Sequence, residues 1–394
     1  MALTSGVLRE ISYSKESAFG VKPEKTGAKR LRRVTAEINL ERETFESAEI
    51  TSTAQTSDMR SGTDSVKGSL NGEVSPGSYS DFFASLLRGT WENGVTTGSI
   101  ELGCDGNGKF TDAANGFVTA GFKVGDVIKV DGFTAPGFNG VFTVSAVAAG
   151  ELTVSDMKTG SPEVAAAGKT ISVLGKKLVI PLNGSDRTND SYSIESWFSN
   201  LSISEVATGV KISECEISVQ PNAMATNNFT LMGQTVEQGD TRYFTNPTPP
   251  PTASVLAGSK GALYLSGQKI ATVTAFSLNI SGNMESATIV GARQAPDIFL
   301  GRVKATGEMS MYFENNTVFQ NFVNETDMSV VFTLFGDGED MFAIKLPRIK
   351  LGGASKNDAE VGGVIQTVPF TALLPKSSTT EDQSTVVLQE NITV

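Results

Sequence analysis

The alternation of apolar and polar side chains predicts a chain built mostly from β-strands. Residues 34–40 and 65–74 alternate in this way, and a long polar excursion, residues 43–63, separates them. Hairpin loops usually close in about two to five residues, so an excursion of this length is unusual. We interpret it as a functional loop, and a mobile surface loop is the alternative.

A short amphipathic helix is predicted next, over residues 79–87, with Ser78 or Ser80 as its N-cap. Apolar side chains recur there at helical spacing, which indicates one buried face. The side chains expected to pack into the core are Phe82, Phe83 and Leu86. The predicted order is therefore strand, excursion, strand and helix.

The same series returns in the second half of the chain, which indicates duplicated structure. The matching segments are Val34-Thr35-Ala36 with Val273-Thr274-Ala275, Glu46-Ser47-Ala48 with Glu285-Ser286-Ala287, and Gly72-Glu73-Val74 with Gly307-Glu308-Met309. Residues 317–323 correspond to the helix, and Phe319 and Phe322 are expected in its core face. Each copy is expected to end in an alternating strand, at residues 210–220 and 362–373.

An insertion is predicted in the first copy. Short alternating runs such as residues 126–130 and 140–144, separated by turn signals, predict a small β-barrel of about five strands. The second copy has no counterpart of this segment. The division by range is a first unit at 1–100 and 176–244, an inserted domain at 101–175, a proline-rich linker at 245–252, and a second unit at 253–394.

The charge of the chain argues against tight binding to nucleic acid. Among 394 residues there are 43 Asp plus Glu and 32 Lys plus Arg, for a formal net charge of -11. Sequence-independent binding to phosphate needs basic surface. The one basic cluster, residues 29–33, is short, and such clusters more often pair with acidic groups nearby.

Catalytic chemistry is not expected. The chain has no histidine, the commonest general base and zinc ligand. The nucleophile elbow and the P-loop are absent, although a glycosidase with two carboxylates remains open. Asp105-Gly106-Asn107-Gly108 resembles the start of a calcium loop, but Gly116 stands where an EF-hand has its bidentate Glu. We interpret it as a turn, and we expect no cofactor and no metal.

Compartment signals point to a protein made inside the cell. Cys104 and Cys215 are the only cysteines, so one disulfide is possible, but two reduced thiols are the preferred interpretation. The first twenty residues lack the apolar segment of a secretory signal. No run approaches the roughly 18 apolar residues of a membrane helix, so no membrane partner is expected.

Two stretches resemble a known family. Residues 17–21, Ser-Ala-Phe-Gly-Val, and residues 40–91 are similar to the tail tube (major tail) proteins of long-tailed, non-contractile bacteriophages, the siphophage type. The resemblance is most specific over residues 1–91 and looser over the second copy. The insertion looks like the small β domains that decorate many phage tail proteins.

The resemblance implies a mainly β, duplicated tail-tube fold. Each copy would be a β-sandwich or half-barrel with a short flanking helix, and the inserted small β-barrel would project outward. In this family six units close into a ring, and stacked rings form the tube for genome ejection. Because one chain supplies two units, a trimeric pseudo-hexameric ring is favoured over a ring of six chains. A negative lumen would repel the phosphates of the double-stranded DNA that passes through without specific binding.

The implied partners are further copies of the chain, the tape-measure protein, and the tail terminator and tip proteins. The protein would be assembled in the host cytoplasm and reside in the virion tail. The long loop and its counterpart, residues 284–301, would reach the next ring. The residues expected in this contact are Glu46, Ile50, Asp58, Met59, Arg60, Glu285, Ile289, Arg293 and Asp297. The alternative function is a secretion-tube or surface-adhesion module of a bacterium.

Overall fold

Strands dominate the structure, as predicted. The computed structural model describes residues 3–98, 101–357 and 362–393. The elements before the insertion are β1 (Arg9–Lys15), β2 (Lys29–Arg30), β3 (Thr35–Glu46), β4 (Met59–Glu73), α1 (Ser80–Leu87) and β5 (Trp91–Asn93). The elements of the insertion are β6 (Leu102–Cys104), β7 (Lys109–Asp112), α2 (Phe117–Ala120), β8 (Val127–Asp131), β9 (Gly140–Val147), β10 (Glu151–Ser155), β11 (Glu163–Ala166) and β12 (Thr170–Val173).

The rest of the chain completes the first unit and forms the second. The elements that complete the first unit are β13 (Lys176–Val179), β14 (Tyr192–Phe198), β15 (Ile203–Val219), β16 (Thr226–Gly233) and β17 (Thr235–Gly239). Those of the second unit are β18 (Gly261–Leu265), β19 (Gln268–Ile270), β20 (Val273–Ser281), β21 (Glu285–Ser286), β22 (Ile298–Phe299), β23 (Lys304–Tyr312), α3 (Thr317–Val323), β24 (Met328–Phe335), β25 (Met341–Leu351), β26 (Ser355–Asn357), β27 (Ile365–Ala372) and β28 (Val387–Asn391). Short 3-10 helices lie at Gly6–Leu8, Pro136–Phe138, Gly184–Asp186 and Gly258–Lys260.

The two units share one order of strand pairing. In the first, β1 pairs with β2 and β14, β14 with β15, β15 with β16 and β17, and β4 with β3 and β16. In the second, β18 pairs with β19 and β24, β24 with β25, β25 with β27 and β28, and β23 with β20 and β27. Each pairing in one unit has a counterpart in the other, and all are antiparallel.

The registers of the two units agree as well. A bulge interrupts the pairing of β14 with β15 between Tyr192 and Ile194, and the pairing of β24 with β25 is interrupted at the matching place, between Met328 and Val330. Strands β16 and β27 are equally long and alternate half-buried and buried side chains in the same phase. The final strand equivalent to β27 is therefore β16, not the predicted residues 210–220.

Two glycines fix the correspondence of the hairpin strands. A Cβ on Gly68 would lie 2.3 Å from the carbonyl oxygen of Glu37, and one on Gly307 would lie 2.4 Å from that of Ser277. Gly68 is thus the equivalent of Gly307, where the sequence comparison had used Gly72.

The matched tripeptides at residues 34–36 and 273–275 are likewise out of phase by one residue. Buried Ala36 corresponds to buried Phe276. A bulge between Val273 and Ala275 accounts for this shift, and in a strand a shift of one residue exchanges the two faces.

Helix α1 closes the core of the first unit. Phe82 lies 5.0 Å from Tyr13 between ring centroids, and Phe83 lies 5.2 Å from Phe229. Leu86 is also fully buried. The predicted serine cap is wrong: Tyr79 occupies the N-cap without a side-chain hydrogen bond, and the Ser80 hydroxyl donates to Glu390.

Helix α3 differs from α1. Its only buried side chain is Val318, whereas Phe319 is 45% exposed and Phe322 is half-buried. The predicted core packing of Phe319 is therefore not seen. Val318 faces the core, and because neighbouring residues of a helix point in different directions, Phe319 faces solvent.

The insertion forms a sheet of its own, with seven strands instead of about five. Their order is β11-β6-β7-β10-β9-β8-β12, around a core that contains Phe110, Phe117 and Ile128. The predicted boundary at residue 100 falls at 99–100, which lie outside the described residues. Asp105 accepts hydrogen bonds from the amides of Asn107 and Lys109, which forms a turn.

The insertion packs against the second unit. Gln389 of β28 donates to the carbonyls of Val127 and Leu174 in the insertion, each at 2.7 Å. Lys345 of the second unit bonds Asp126 of the insertion and Asp382. Lys177, which lies in β13 of the first unit, is 2.6 Å from Asp126 and 2.9 Å from Asp382. Burial alone would raise the pKa of Asp382, but the two lysines hold it well below its usual range.

Candidate functional site: the wall sheet, its open edges and its arms

One strand joins the two units into a single sheet. Beyond its pairing with β17, strand β15 continues and pairs with β16 on one edge and with β20 of the second unit on the other. In the pairing of β15 with β20, Glu214 lies opposite Ser281 and Val219 opposite Phe276. The order of the resulting sheet is β3-β4-β16-β15-β20-β23-β27, followed by the end of β25 with β26. We call it the wall sheet.

The two faces of the wall sheet differ in chemistry. One face is buried in the cores of the two units and carries residues such as Leu70, Ile217 and Leu278. The opposite face is polar, and six of its charged side chains are glutamates, against the accessible lysines Lys67, Lys304 and Lys350. The glutamates are Glu37, Glu41, Glu73, Glu214, Glu216 and Glu308. Lys67 bonds Glu41 at 2.7 Å, and this hydrogen bond raises the pKa of Lys67.

The wall sheet ends in two open edges. In the described residues no strand pairs with the outer edge of β3, and the Arg9 guanidinium donates to the carbonyl of Ala36 there. At the far end, β25 and β26 each pair with β27, and the other edge of this wall segment carries no strand among the described residues. Strand β3 is the equivalent of β20, and the end of β25 with β26 is the equivalent of β15. The two open edges are therefore equivalent to the two edges that pair with each other inside the chain, those of β20 and β15.

The two ends of the predicted polar excursion, residues 43–63, are strand, and its middle is a loop. Strands β3 and β4 continue as a ladder out to Glu46 opposite Met59, so that only residues 47–58 form a loop. The second unit has a shorter form of the same hairpin, in which β21 pairs with β22. We call residues 41–63 the first arm and residues 282–302 the second arm. Pairing continues here because a polar, exposed strand still satisfies its backbone groups.

The second arm lies against the first unit of the same chain. Lys211 Nζ donates to Asp297 Oδ1, to the carbonyl of Ile298 and to Asn189 Oδ1, each at 2.8 Å. The side chain of Lys211 is only 1% exposed, and the Phe19 ring lies 5.1 Å from its Nζ. A buried ammonium with three acceptors makes this a specific contact.

Backbone bonds extend the same contact. The amide of Asp64 donates to the carbonyl of Arg293 at 2.7 Å, and Gln234 Nε2 donates to the carbonyl of Ala295 at 2.8 Å. Arg88 donates to the carbonyl of Gly301 at 2.6 Å, and burial lowers the pKa of this arginine. The second arm therefore completes the hydrogen bonding of β4 where β16 ends.

The predicted loop residues divide into two groups. Arg293 and Asp297 contact the first unit of their own chain, as described above. The others are exposed or flank exposed tips: Glu46, Ile50, Asp58, Met59 and Arg60 in the first arm, and Glu285 and Ile289 in the second. Asp58 bonds Arg60 at 2.8 Å within its own arm.

A comparison with known families bears on this architecture. The family model described as phage tail tube protein matches residues 6–372. The chain belongs to this family. No curated protein matches the chain. Tail tube proteins are structural components of the virion tail, so the family assigns this chain a structural role.

The sequence analysis missed Lys211, a buried lysine of this tail tube protein. Lys211 lies between apolar neighbours, Val210 and Ile212, and Lys350 lies in the same setting between Ile349 and Leu351. A lone lysine in an apolar strand, repeated in both units, was the signal. The acceptors come from an arm far away in sequence, which no local pattern announces.

The described residues of the tail tube protein hold no group of three or more His, Cys, Asp or Glu side chains placed to bind a metal. Within 3–98, 101–357 and 362–393, no helix has the length and apolar character needed to cross a bilayer. Cys104 and Cys215 are buried free thiols, and burial raises the pKa of Cys215.

Proposed function

We propose that this tail tube protein polymerises into stacked rings that form the tube of a long-tailed, non-contractile phage, the conduit for genome ejection into the host. The supporting observation is the pairing of β15 with β20, which joins two equivalent units side by side. The same two kinds of edge are left open at the ends of the wall sheet. Open strand edges favour pairing between chains.

A ring of three chains follows from repeating that joint. Strand β3 of one copy pairs with β25 and β26 of the next in the register of β15 with β20. Asn39 then lies opposite Ser355, and Ile38 lies opposite Lys356. Three chains supply six units and form a pseudo-hexameric ring. A ring of six chains is disfavoured, because both units already stand side by side in one wall.

The polar face of the wall sheet lines the lumen in this proposal. Its six glutamates outnumber its accessible lysines and make it negative, so DNA phosphates are repelled and duplex DNA passes without specific binding. The inserted domain packs on the strands of the second unit that lie outside the wall sheet, and it therefore decorates the outer surface. No catalysis is part of this function.

Ring stacking uses the exposed tips of the arms. Ile50, Ile289 and Val290 are fully or half exposed apolar side chains, and Glu46 and Glu285 lie close by. The tape-measure protein fills the lumen during assembly, and terminator and tip proteins close the two ends. Assembly takes place in the host cytoplasm, and the product resides in the virion.

Negative-stain electron microscopy of the purified protein over a range of concentrations tests the proposal. We expect hollow tubes or rings with a central channel. A protein that stays monomeric at every concentration and salt condition contradicts it.

A further inference from the structure

We propose that the first arm of each copy binds a groove on the second unit of the neighbouring copy, where Asp58 forms an ion pair with Lys350. The inference rests on the proposed ring and names a contact that would stabilise the pairing of neighbouring copies in it. It follows from one comparison: the second arm already makes this contact inside the chain, through Asp297 and Lys211.

Asp58 is the equivalent of Asp297. The carbonyl of Asp58 accepts from the amide of Ser47 at 2.8 Å, and that of Asp297 accepts from the amide of Ala287 at 3.0 Å. Each carboxylate also accepts from the amide of the following residue, at 2.8 Å in the first arm and 2.7 Å in the second. The two aspartates therefore have the same backbone setting, and in the part of the chain that the structure describes only Asp297 has a lysine partner.

Lys350 is the equivalent of Lys211. Lys211 directly follows Val210, which pairs with Tyr192 at the bulge between β14 and β15. Lys350 directly follows Ile349, which pairs with Met328 at the equivalent bulge between β24 and β25. Lys211 is 1% exposed, whereas Lys350 is 36% exposed. Among the described residues, the one ion pair of Lys350 is with the exposed carboxylate of Glu325, at 3.3 Å. It is thus available to a stronger acceptor.

A groove beside Lys350 lies at the position on the second unit that is equivalent to the binding place of the second arm on the first unit. It has a volume of about 1070 Å³ and is lined by Val303 and Leu373. These residues are the equivalents of Asp64 and Gln234, which hold the second arm on the first unit. Thr371, which lies opposite Lys350, lines it as well. On the first unit the equivalent position is occupied by the second arm. On the second unit of the single chain this position is an open groove.

Charge and apolar surface on the two sides are complementary. In the described part of the chain four basic side chains line the groove, Arg302 and Lys304 of the second unit with Arg88 and Arg187 of the adjoining first unit, and no acidic side chain lines it. The first arm carries five acidic side chains, Glu41, Glu43, Glu46, Glu49 and Asp58, against Arg42 and Arg60. Phe45 and Met59 on the arm are exposed in the single chain. Complementary charge of this kind selects the partner and its register.

Charge reversal tests the pair. We expect Asp58→Lys and Lys350→Asp each to abolish rings at concentrations where the wild type forms them, and the double variant Asp58→Lys with Lys350→Asp to restore them. Ring formation is measured by electron microscopy and by sedimentation. Both residues are at least one-third exposed, so circular dichroism and the thermal midpoint should match the wild type.

The control is Glu24→Lys, which makes the same charge change at an exposed position in no ion pair of the described residues. It should assemble like the wild type. Rings that survive both single reversals, or a double variant that stays as defective as the singles, overturn the arm contact and leave the tube function standing. A wild type that never forms rings overturns both.

Discussion

The two units of this chain repeat the same strand pairings, but only the second arm is seen bound to another unit of the chain. The second arm is bound to the first unit through Lys211, while Asp58 of the first arm contacts no lysine among the described residues. One folded chain therefore contains a complete joint between two units and two open edges of the same kinds. In the proposed ring, the complete joint is the model for the contact between chains.

The open edge of β3 and the equivalent paired edge of β20 also differ in charge. The outer edge of β3 carries Glu37 and Glu41, and Arg9 covers the carbonyl of Ala36. Charged side chains on an edge strand disfavour unspecific pairing. Inside the chain the equivalent edge of β20 carries Ser277 and Ser281 instead, which suits permanent pairing with β15.

The largest effect is expected where the open edge is blocked. The carbonyl of Ala36 faces that edge, and alternate residues such as Leu40 face it too. Leu40→Pro removes an amide that the neighbouring copy needs, so rings should be lost completely while the monomer stays folded. Leu40→Ala keeps the amide and should assemble. Size-exclusion chromatography with light scattering separates the two, and ring formation by the proline variant would refute edge pairing.

The second unit also differs in its contact with the inserted domain, whose ion pairs should depend on pH. Lys345 and Lys177 lower the pKa of Asp382 against the effect of burial. Stability from such a carboxyl is complete above its unfolded pKa of about 4 and is lost as the pH falls through the folded value. Asp382→Asn should cost about 3 kcal/mol near pH 7.

Urea unfolding at several pH values measures this loss. The difference between wild type and Asp382→Asn should be largest near neutral pH and should shrink as the pH falls below about 4. A difference that does not change with pH would show that the carboxylate charge does not hold the inserted domain on the second unit.

A smaller effect separates the bound arm from the free one. Asp297→Ala removes one of three acceptors from buried Lys211 and should lower the free energy of unfolding by about 2 kcal/mol. Asp58→Ala, the equivalent change in the free arm, should stay within about 0.5 kcal/mol for the single chain. Equal losses in chemical denaturation would mean that the first arm is also bound within its own chain.

The smallest effect is expected at the arm tips. Ile50→Ser and Ile289→Ser change exposed side chains, so stability should stay within about 0.5 kcal/mol and rings should still form. Tubes should become shorter, because each substitution removes apolar area from the contact between rings. Length distributions from electron micrographs measure this, and unchanged lengths for both variants would exclude the tips from stacking.

Much of the fold could be predicted from the pattern of the sequence. Alternation gave the wall strands, helical spacing placed Phe82, Phe83 and Leu86, and repeated segments indicated the duplication. The predicted alignment of residues 34–36 with 273–275 was wrong by one residue, because a bulge adds one residue to β20. The alignment followed the identical tripeptides and ignored which side chains are buried.

The arms were harder to predict for a physical reason. A polar ladder has no apolar alternation to reveal it, so residues 43–63 read as a loop although they pair out to Glu46. The role of Lys211 depends on acceptors from residues 297 and 298, which only the folded chain brings to it. Resemblance to the tail tube family supplied the function that the residues alone did not.

The most direct test of the account is an electron cryo-microscopy map of one ring at a resolution that separates strands. We predict three chains around one channel, with β3 of each copy paired to β26 of the next and Asn39 opposite Ser355. Six chains around the channel, or open edges of β3 and β26 that face solvent in the assembled ring, would contradict the equivalence of the internal joint and the joint between chains.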